Sequence, residues 1–153
     1  MKNQKTIYIT PQGEVKLKQE LAELEKKRPT VVDEVQKARA LGDLKENNAY
    51  HSNREKLRNI DRRILYLKGT LRFSEVVEKT NNHEIQLGST VMVENQKIKT
   101  EYQIVGKDEA DPKQKKISLE SPLGKILIGK KSGDKIEYSS PLGKRKYTIL
   151  EIS

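Results

Sequence analysis

The chain has 153 residues, of which 33% are hydrophobic and 35% are charged, and it contains neither tryptophan nor cysteine. The lack of cysteine excludes disulfides and thiolate metal sites, and two isolated histidines argue against zinc. So small an apolar fraction favours an elongated element with a small domain over one large core. The net charge of +9 favours a negatively charged partner. With no signal-peptide core and no run of ~20 apolar residues, we expect a cytoplasmic protein without a membrane segment.

Residues 11–73 carry the periodicity of two coiled-coil helices. Thr10 and Pro11 suit a helix cap and first position, and Pro29 is expected to bend that helix without ending it. Gly42 and Asp43 suit the end of one helix and the start of the next. Positions alternately 3 and 4 residues apart form two seams: Leu17, Leu21, Leu24, Arg28, Val31, Val35, Ala38, and Tyr50, Asn53, Leu57, Ile60, Ile64, Leu67, Leu71. A turn this short makes the helices antiparallel, as an arm of about 45 Å.

From about residue 75 the pattern changes to short β-branched segments separated by turn residues. The segments 90–94, 100–106, 116–120, 135–138 and 146–152 predict a small, mostly antiparallel β domain with a helical turn at 124–128. The predicted fold class is therefore α+β. A coiled-coil arm occupies residues 1–77, and a β-rich domain occupies residues 78–153.

The turn of the arm carries the candidate chemistry. Residues 42–47 read Gly-Asp-Leu-Lys-Glu-Asn, with Tyr50 and His51 after them. This motif resembles the tip of the bacterial Gre family of transcript-cleavage factors. Two stretches of the β domain, at residues 104–111 and 117–134, also match that family in order and spacing. The tip is closer to GreA, residues 60–63 are closer to GreB, and GreA is favoured overall.

The resemblance implies a function and a site. Gre factors insert the coiled coil into the secondary channel of bacterial RNA polymerase and stimulate hydrolysis of the backtracked RNA 3′ end. The acids that match the family motif are Asp43 and Glu46, which would help to hold a second Mg²⁺ and a water at the polymerase active site. Two carboxylates suffice when the polymerase supplies the other ligands. The chain would then have no complete active site, would bind no metal alone, and is expected to be a monomer.

Two features of the tip leave alternatives open. Asp43 and Glu46 also have the form of a capping box, with Asp43 as the N-cap and Glu46 at the third helical position. Without the family, capping alone is the favoured interpretation, although a capping carboxylate can still offer a lone pair. Ala49 stands where family members usually carry a third acid, so recruitment of the metal is expected to be weaker.

Two further surfaces are predicted. Arg54, Arg58 and Arg62 lie four residues apart on the second helix, a row about 12 Å long that suits the phosphates of the extruded RNA. A solvated flank paired with acids of the first helix explains the row equally well. The FKBP-like β domain of the family docks on the polymerase β′ subunit at the rim of the channel, and Ser121, Pro122 and Leu123 are the candidate contacts. Ile126 and Leu127 are further candidates for this surface, and a place in the hydrophobic core explains these two residues at least as well.

Three other functions remain as alternatives. A channel-binding regulator that modulates polymerase without stimulating cleavage would differ at the tip. The Asp43/Glu46 pair argues against this alternative. A prolyl isomerase is suggested only by the fold, and Tyr102, Tyr138 and Tyr147 offer it a poor aromatic pocket. A coiled-coil adaptor without chemistry is what the heptads alone favour.

Overall fold

The computed structural model describes residues 6–42, 46–80 and 83–153. These ranges contain three α-helices, α1 (Pro11–Ala40), α2 (Asn48–Phe73) and α3 (Pro122–Leu127). The strands are β1 (Ile7–Ile9), β2 (Ser74–Val76), β3 (Thr90–Asn95), β4 (Ile98–Val105), β5 (Lys116–Ser118), β6 (Lys135–Ser140) and β7 (Gly143–Ile152). The α+β class and all five predicted strands are confirmed, whereas β1 and β2 were not predicted. No helix in the described ranges is long and apolar enough to cross a membrane.

The chain forms two compact units. The hairpin unit is Val15–Phe73, and the sheet unit combines the described residues up to Glu14 with Ser74–Ser153. The sequence-based boundary at residues 77 and 78 therefore differs from the division by contacts, because β1 and β2 group with the sheet.

The hairpin unit is an antiparallel pair of helices. Residues at the predicted seams are buried or half-buried, apart from the exposed Arg28, with Val31, Ile60 and Leu67 at its centre. α1 continues through Pro29, as expected. Ion pairs between the helices show that they are antiparallel, because the residue numbers rise along α1 as those of their partners fall along α2. These pairs are Glu20–Arg63, Arg28–Asp61 and Glu34–Lys56. The Arg63 guanidinium donates two hydrogen bonds to Glu20 and thereby lowers the pKa of that carboxyl.

The sheet unit is built around five strands in the order β5-β4-β3-β7-β6. All neighbours are antiparallel except β4 and β5, which are parallel. One face carries the core, to which α3 contributes the fully buried Leu127. α3 lies very close to the sheet at Gly124, since a Cβ there would be 2.1 Å from the Ser118 carbonyl oxygen.

A second, two-stranded element brings together residues far apart in sequence. β1 and β2 pair in parallel, with Ile7 opposite Ser74 and Ile9 opposite Val76. Next to β1, Glu109 accepts hydrogen bonds from the backbone N–H and the hydroxyl of Thr10. The Thr10 hydroxyl in turn accepts from the Gly13 N–H at 3.0 Å, so it caps the first turn of α1. The predicted cap is confirmed, and Glu109 is its second partner.

Candidate functional site

The second helix begins later than the sequence predicts. α2 starts at Asn48, and Asn47 is its N-cap, because the Asn47 side-chain oxygen accepts from the Tyr50 N–H at 2.9 Å. The Asn47 amide also donates to the Ala38 carbonyl at 2.6 Å, which ties the cap to the last turn of α1. The predicted place of Glu46 at the third helical position of a capping box is therefore wrong. Glu46 lies before the helix.

Glu46 is consequently an exposed residue of the connecting turn. Among the residues that the structure describes, none forms an ion pair or hydrogen bond with its carboxylate. Asp43 lies outside the described residues, so its predicted role stays a prediction. Ala49 is exposed on the first turn of α2, and Tyr50 is half-buried with its ring against that of the exposed His51, 5.6 Å between centroids.

The described residues of the turn do not by themselves provide a set of metal ligands. Across the described ranges, no three acidic, histidine or cysteine side chains come together as metal ligands. A single exposed carboxylate such as Glu46 still suits Mg²⁺, which takes one or two protein carboxylates and keeps several waters. The donors present thus fit a metal held mainly by another molecule.

The arginine row (Arg54, Arg58 and Arg62) is exposed along α2. Arg58 and Arg62 both contact Glu55, with N–O distances of 3.3 and 3.4 Å, and Arg62 also donates to Asn59. Within the described residues, no ion pair or hydrogen bond involves Arg54. The alternative pairing with acids of the first helix is not what the structure shows, because Glu55 belongs to α2 itself.

The predicted docking residues lie at the start of α3. Ser121 is the N-cap, accepting from the Gly124 N–H at 3.0 Å, and Pro122 occupies the first turn and is exposed. Leu123 and Ile126 pack partly against the core, and Leu127 is fully within it. Of the predicted set, Pro122 therefore offers the most accessible surface.

A shallow groove of about 420 Å³ lies next to this helix within the sheet unit. Its apolar lining comes from Tyr8, Leu119 and Ile128, and its charged lining from Glu120 and Lys125. Tyr8 and Ile128 are 45% and 39% exposed, which is high for apolar side chains. The groove extends the predicted docking surface by residues from β1 and from the end of α3.

Sequence reasoning missed several residues of these sites. Asn47 was detectable as a capping type placed three residues before Tyr50, and Glu55 as an acid three and seven residues before two of the arginines. Tyr8 and Ile128 had no detectable signal, because their proximity depends on the path of the chain through the fold.

Comparisons with known proteins agree over nearly the whole chain. Residues 7–76 match the family "Transcription elongation factor, N-terminal", and residues 79–153 match "Transcription elongation factor, GreA/GreB, C-term". Transcription elongation factor GreA of Maridesulfovibrio salexigens is 40% identical over 151 residues, which cover 96% of this chain and 94% of that protein. GreA of Rhodospirillum rubrum is 42% identical over 151 residues, covering 95% and 96%.

A solved structure gives a weaker likeness. GreA factor homolog 1 (Gfh1) of Thermus thermophilus is 25% identical, with a TM-score of 0.47, covering 97% of this chain and 99% of that one. The assignment rests on the sequence matches to both halves of the chain. The chain belongs to the GreA/GreB family of transcription elongation factors and is a GreA-like member of it.

Proposed function

We propose that the chain binds bacterial RNA polymerase, inserts its helical hairpin into the secondary channel and stimulates hydrolysis of backtracked RNA 3′ ends. The observation that supports this most is the position of Glu46. It lies in the turn between two long antiparallel helices, before the cap of α2, with an exposed carboxylate. A carboxylate that caps no helix remains available for another molecule.

In this proposal Asp43 and Glu46 act together at the polymerase active site. A second Mg²⁺ there would activate the attacking water and stabilise the charge of the phosphoryl displacement. Asp43 and Glu46 would be its ligands from this chain, and the polymerase would provide the others. The role of this chain is to present the two carboxylates and to orient them.

Docking and RNA contact are assigned to separate surfaces. Pro122 and its neighbours Ser121 and Leu123, extended by the groove at Tyr8 and Ile128, are proposed to contact the rim of the β′ subunit. The arginine row is proposed to contact phosphates of the backtracked RNA. Because Glu55 already holds Arg58 and Arg62, an RNA phosphate would have to displace it.

The proposal is tested with stalled, backtracked elongation complexes. The double change Asp43→Asn/Glu46→Gln keeps the size of both side chains but removes both charges. Cleavage of the RNA should fall by at least about a hundredfold, as expected for loss of a metal-assisted step worth several kcal/mol. Binding to polymerase, measured by competition with labelled wild-type protein, should stay within about twofold.

A matched control is Glu23→Gln, which removes an exposed carboxylate from α1 away from the turn. It should cleave as wild type does. Cleavage that survives the double change would remove the tip from the mechanism. Binding without any cleavage by the wild-type protein would instead establish the alternative, a channel regulator that does not stimulate hydrolysis.

A further inference from the structure

The core-bearing face of the five-stranded sheet continues into an open concavity of about 860 Å³. The register of the strands shows which residues form the floor of this concavity. Tyr102 lies directly opposite Val91, and Tyr147 lies opposite Ile136, both of which are core residues. Farther along the same strands, Thr100, Ile98 and Arg145 line the concavity together with Asn95. These six residues are called the Arg145 pocket below.

Two donor groups of the pocket, on Tyr147 and Arg145, form no hydrogen bond with the described residues. Tyr147 is 7% exposed, and its ring packs in the core. Its hydroxyl has no hydrogen-bond partner among the described residues, and neither has the Arg145 guanidinium. No fully buried polar atom of the described side chains lacks a partner, so the Tyr147 hydroxyl reaches the open space of the pocket.

The electrostatics of the pocket favour an anion. Burial, reinforced by Tyr147 and opposed by Arg145, raises the pKa of Tyr102. At neutral pH its hydroxyl therefore remains protonated and can donate. The one acid of the lining, Glu137, is already paired with Lys144 at 3.2 Å. Arg145 thus lies beside two phenol donors and the Asn95 amide, and Lys146 is a second cation of the lining that forms no ion pair among the described residues.

We propose that the Arg145 pocket binds an extended acidic segment of a protein partner, with an Asp or Glu carboxylate held by Arg145, Tyr102 and Tyr147. An adjacent apolar side chain of the segment would cover Ile98, which is 69% exposed at the rim. Guanidinium and phenol donors around one carboxylate form charge-assisted hydrogen bonds, which are about twice as strong as neutral ones.

A nucleic acid fits this pocket less well. Single strands bind to rows of cations that follow the phosphates and to aromatic faces on which the bases stack. Here the cations without an acid partner, Arg145 and Lys146, are adjacent residues of one strand and do not form a long row, and the Tyr147 ring is buried within the core. A compact positive site next to an apolar rim matches a short acidic peptide segment.

The test uses an array of 12-residue peptides with Asp, Glu, Asn or Gln fixed at the centre and apolar residues enriched on either side. Wild-type protein should prefer the acidic peptides by roughly tenfold over their amide counterparts, as a charge-assisted contact predicts. Arg145→Gln should abolish the preference. Tyr147→Phe should reduce it about threefold while leaving the ring in the core.

A matched control is Lys99→Gln, which removes an exposed cation from β4 without changing the pocket lining. It should keep the preference, and circular dichroism should show all variants folded. Equal binding of acidic and amide peptides, or an unchanged preference in Arg145→Gln, would overturn the proposal. So would tighter binding of a 12-nucleotide single-stranded RNA that depends on Arg145.

Discussion

At the scale of single residues, Glu109 is the connecting group at the start of α1. Its carboxylate accepts from the Thr10 N–H at 2.9 Å and from the Gly106 N–H at 3.2 Å, as well as from the Thr10 hydroxyl. A Cβ added at Gly13 would lie 2.1 Å from the Glu109 carboxyl carbon. A flexible side chain would normally move away, but this one is held by three donors. Glycine at position 13 is therefore required by the close approach.

This contact predicts opposite effects for one substitution at two helical glycines. Gly13→Ala should lower the free energy of unfolding by about 1–3 kcal/mol, because the methyl group displaces a hydrogen-bonded carboxylate. Gly69→Ala in α2 should raise it by up to about 1 kcal/mol, since no atom lies within 4 Å and alanine favours the helix. Urea titration followed by circular dichroism measures both. A Gly13→Ala protein as stable as wild type would show that Glu109 is not held in place.

At the scale of elements, α2 carries basic side chains and an acidic one on the same exposed surface. Glu55 contacts Arg58 and Arg62, so the arginine row carries an internal competitor for any anion. Exposed ion pairs contribute about 0.2–1 kcal/mol, which an RNA phosphate would have to overcome in order to bind at the proposed surface.

Removing that competitor should strengthen RNA contact. Glu55→Gln is expected to increase crosslinking to the RNA 3′ segment by about twofold to fivefold, the factor that corresponds to an exposed pair. The double change Arg54→Ala/Arg58→Ala should weaken it. Photocrosslinking in backtracked complexes measures both, with Glu23→Gln as the charge-matched control on α1. Unchanged crosslinking in the arginine variant would show that RNA does not use this surface.

The elements also differ in how far the sequence could determine them. The seams of α1 and α2 were predictable because apolar spacings of 3 and 4 residues, repeated over many turns, are typical of coiled-coil helices. The start of α2 was predicted too early, since Asp43 and Asn47 are both of a capping residue type, and the sequence does not reveal that the Asn47 side chain accepts from the Tyr50 N–H. β1 and β2 were missed because three residues give no periodicity, and their parallel pairing depends on the fold.

At the scale of the whole molecule, the proposed tip and the proposed docking surface lie in different units of the chain. Their functions should therefore be separable. Residues such as Pro122 were recognisable from a family motif, but the groove beside them joins β1 to α3 and needed the structure. Leu123 and Ile126, by contrast, are partly buried because they pack against the core.

Separation of function gives the last prediction. Ile128→Ser, at a side chain that is 39% exposed, should weaken binding to polymerase by about fivefold to tenfold, as loss of a central apolar contact does. Cleavage at saturating protein should then be normal, the reverse of the tip variant. Leu142→Ser, at an 87% exposed leucine of the β6–β7 turn, is the control. Equal binding by Ile128→Ser and wild type would place docking elsewhere.

The pairing of β1 with β2 has a consequence for the hairpin that lies between them in sequence. Heptad seams by themselves permit two helices to shift past each other by seven residues, because the apolar pattern repeats at that interval. Here the chain just before α1 and the chain just after α2 are joined by backbone hydrogen bonds in a fixed alignment, Ile7 with Ser74. A shift by a whole heptad would have to break that alignment. Three residues at each end thus select a single register for about sixty residues of coiled coil.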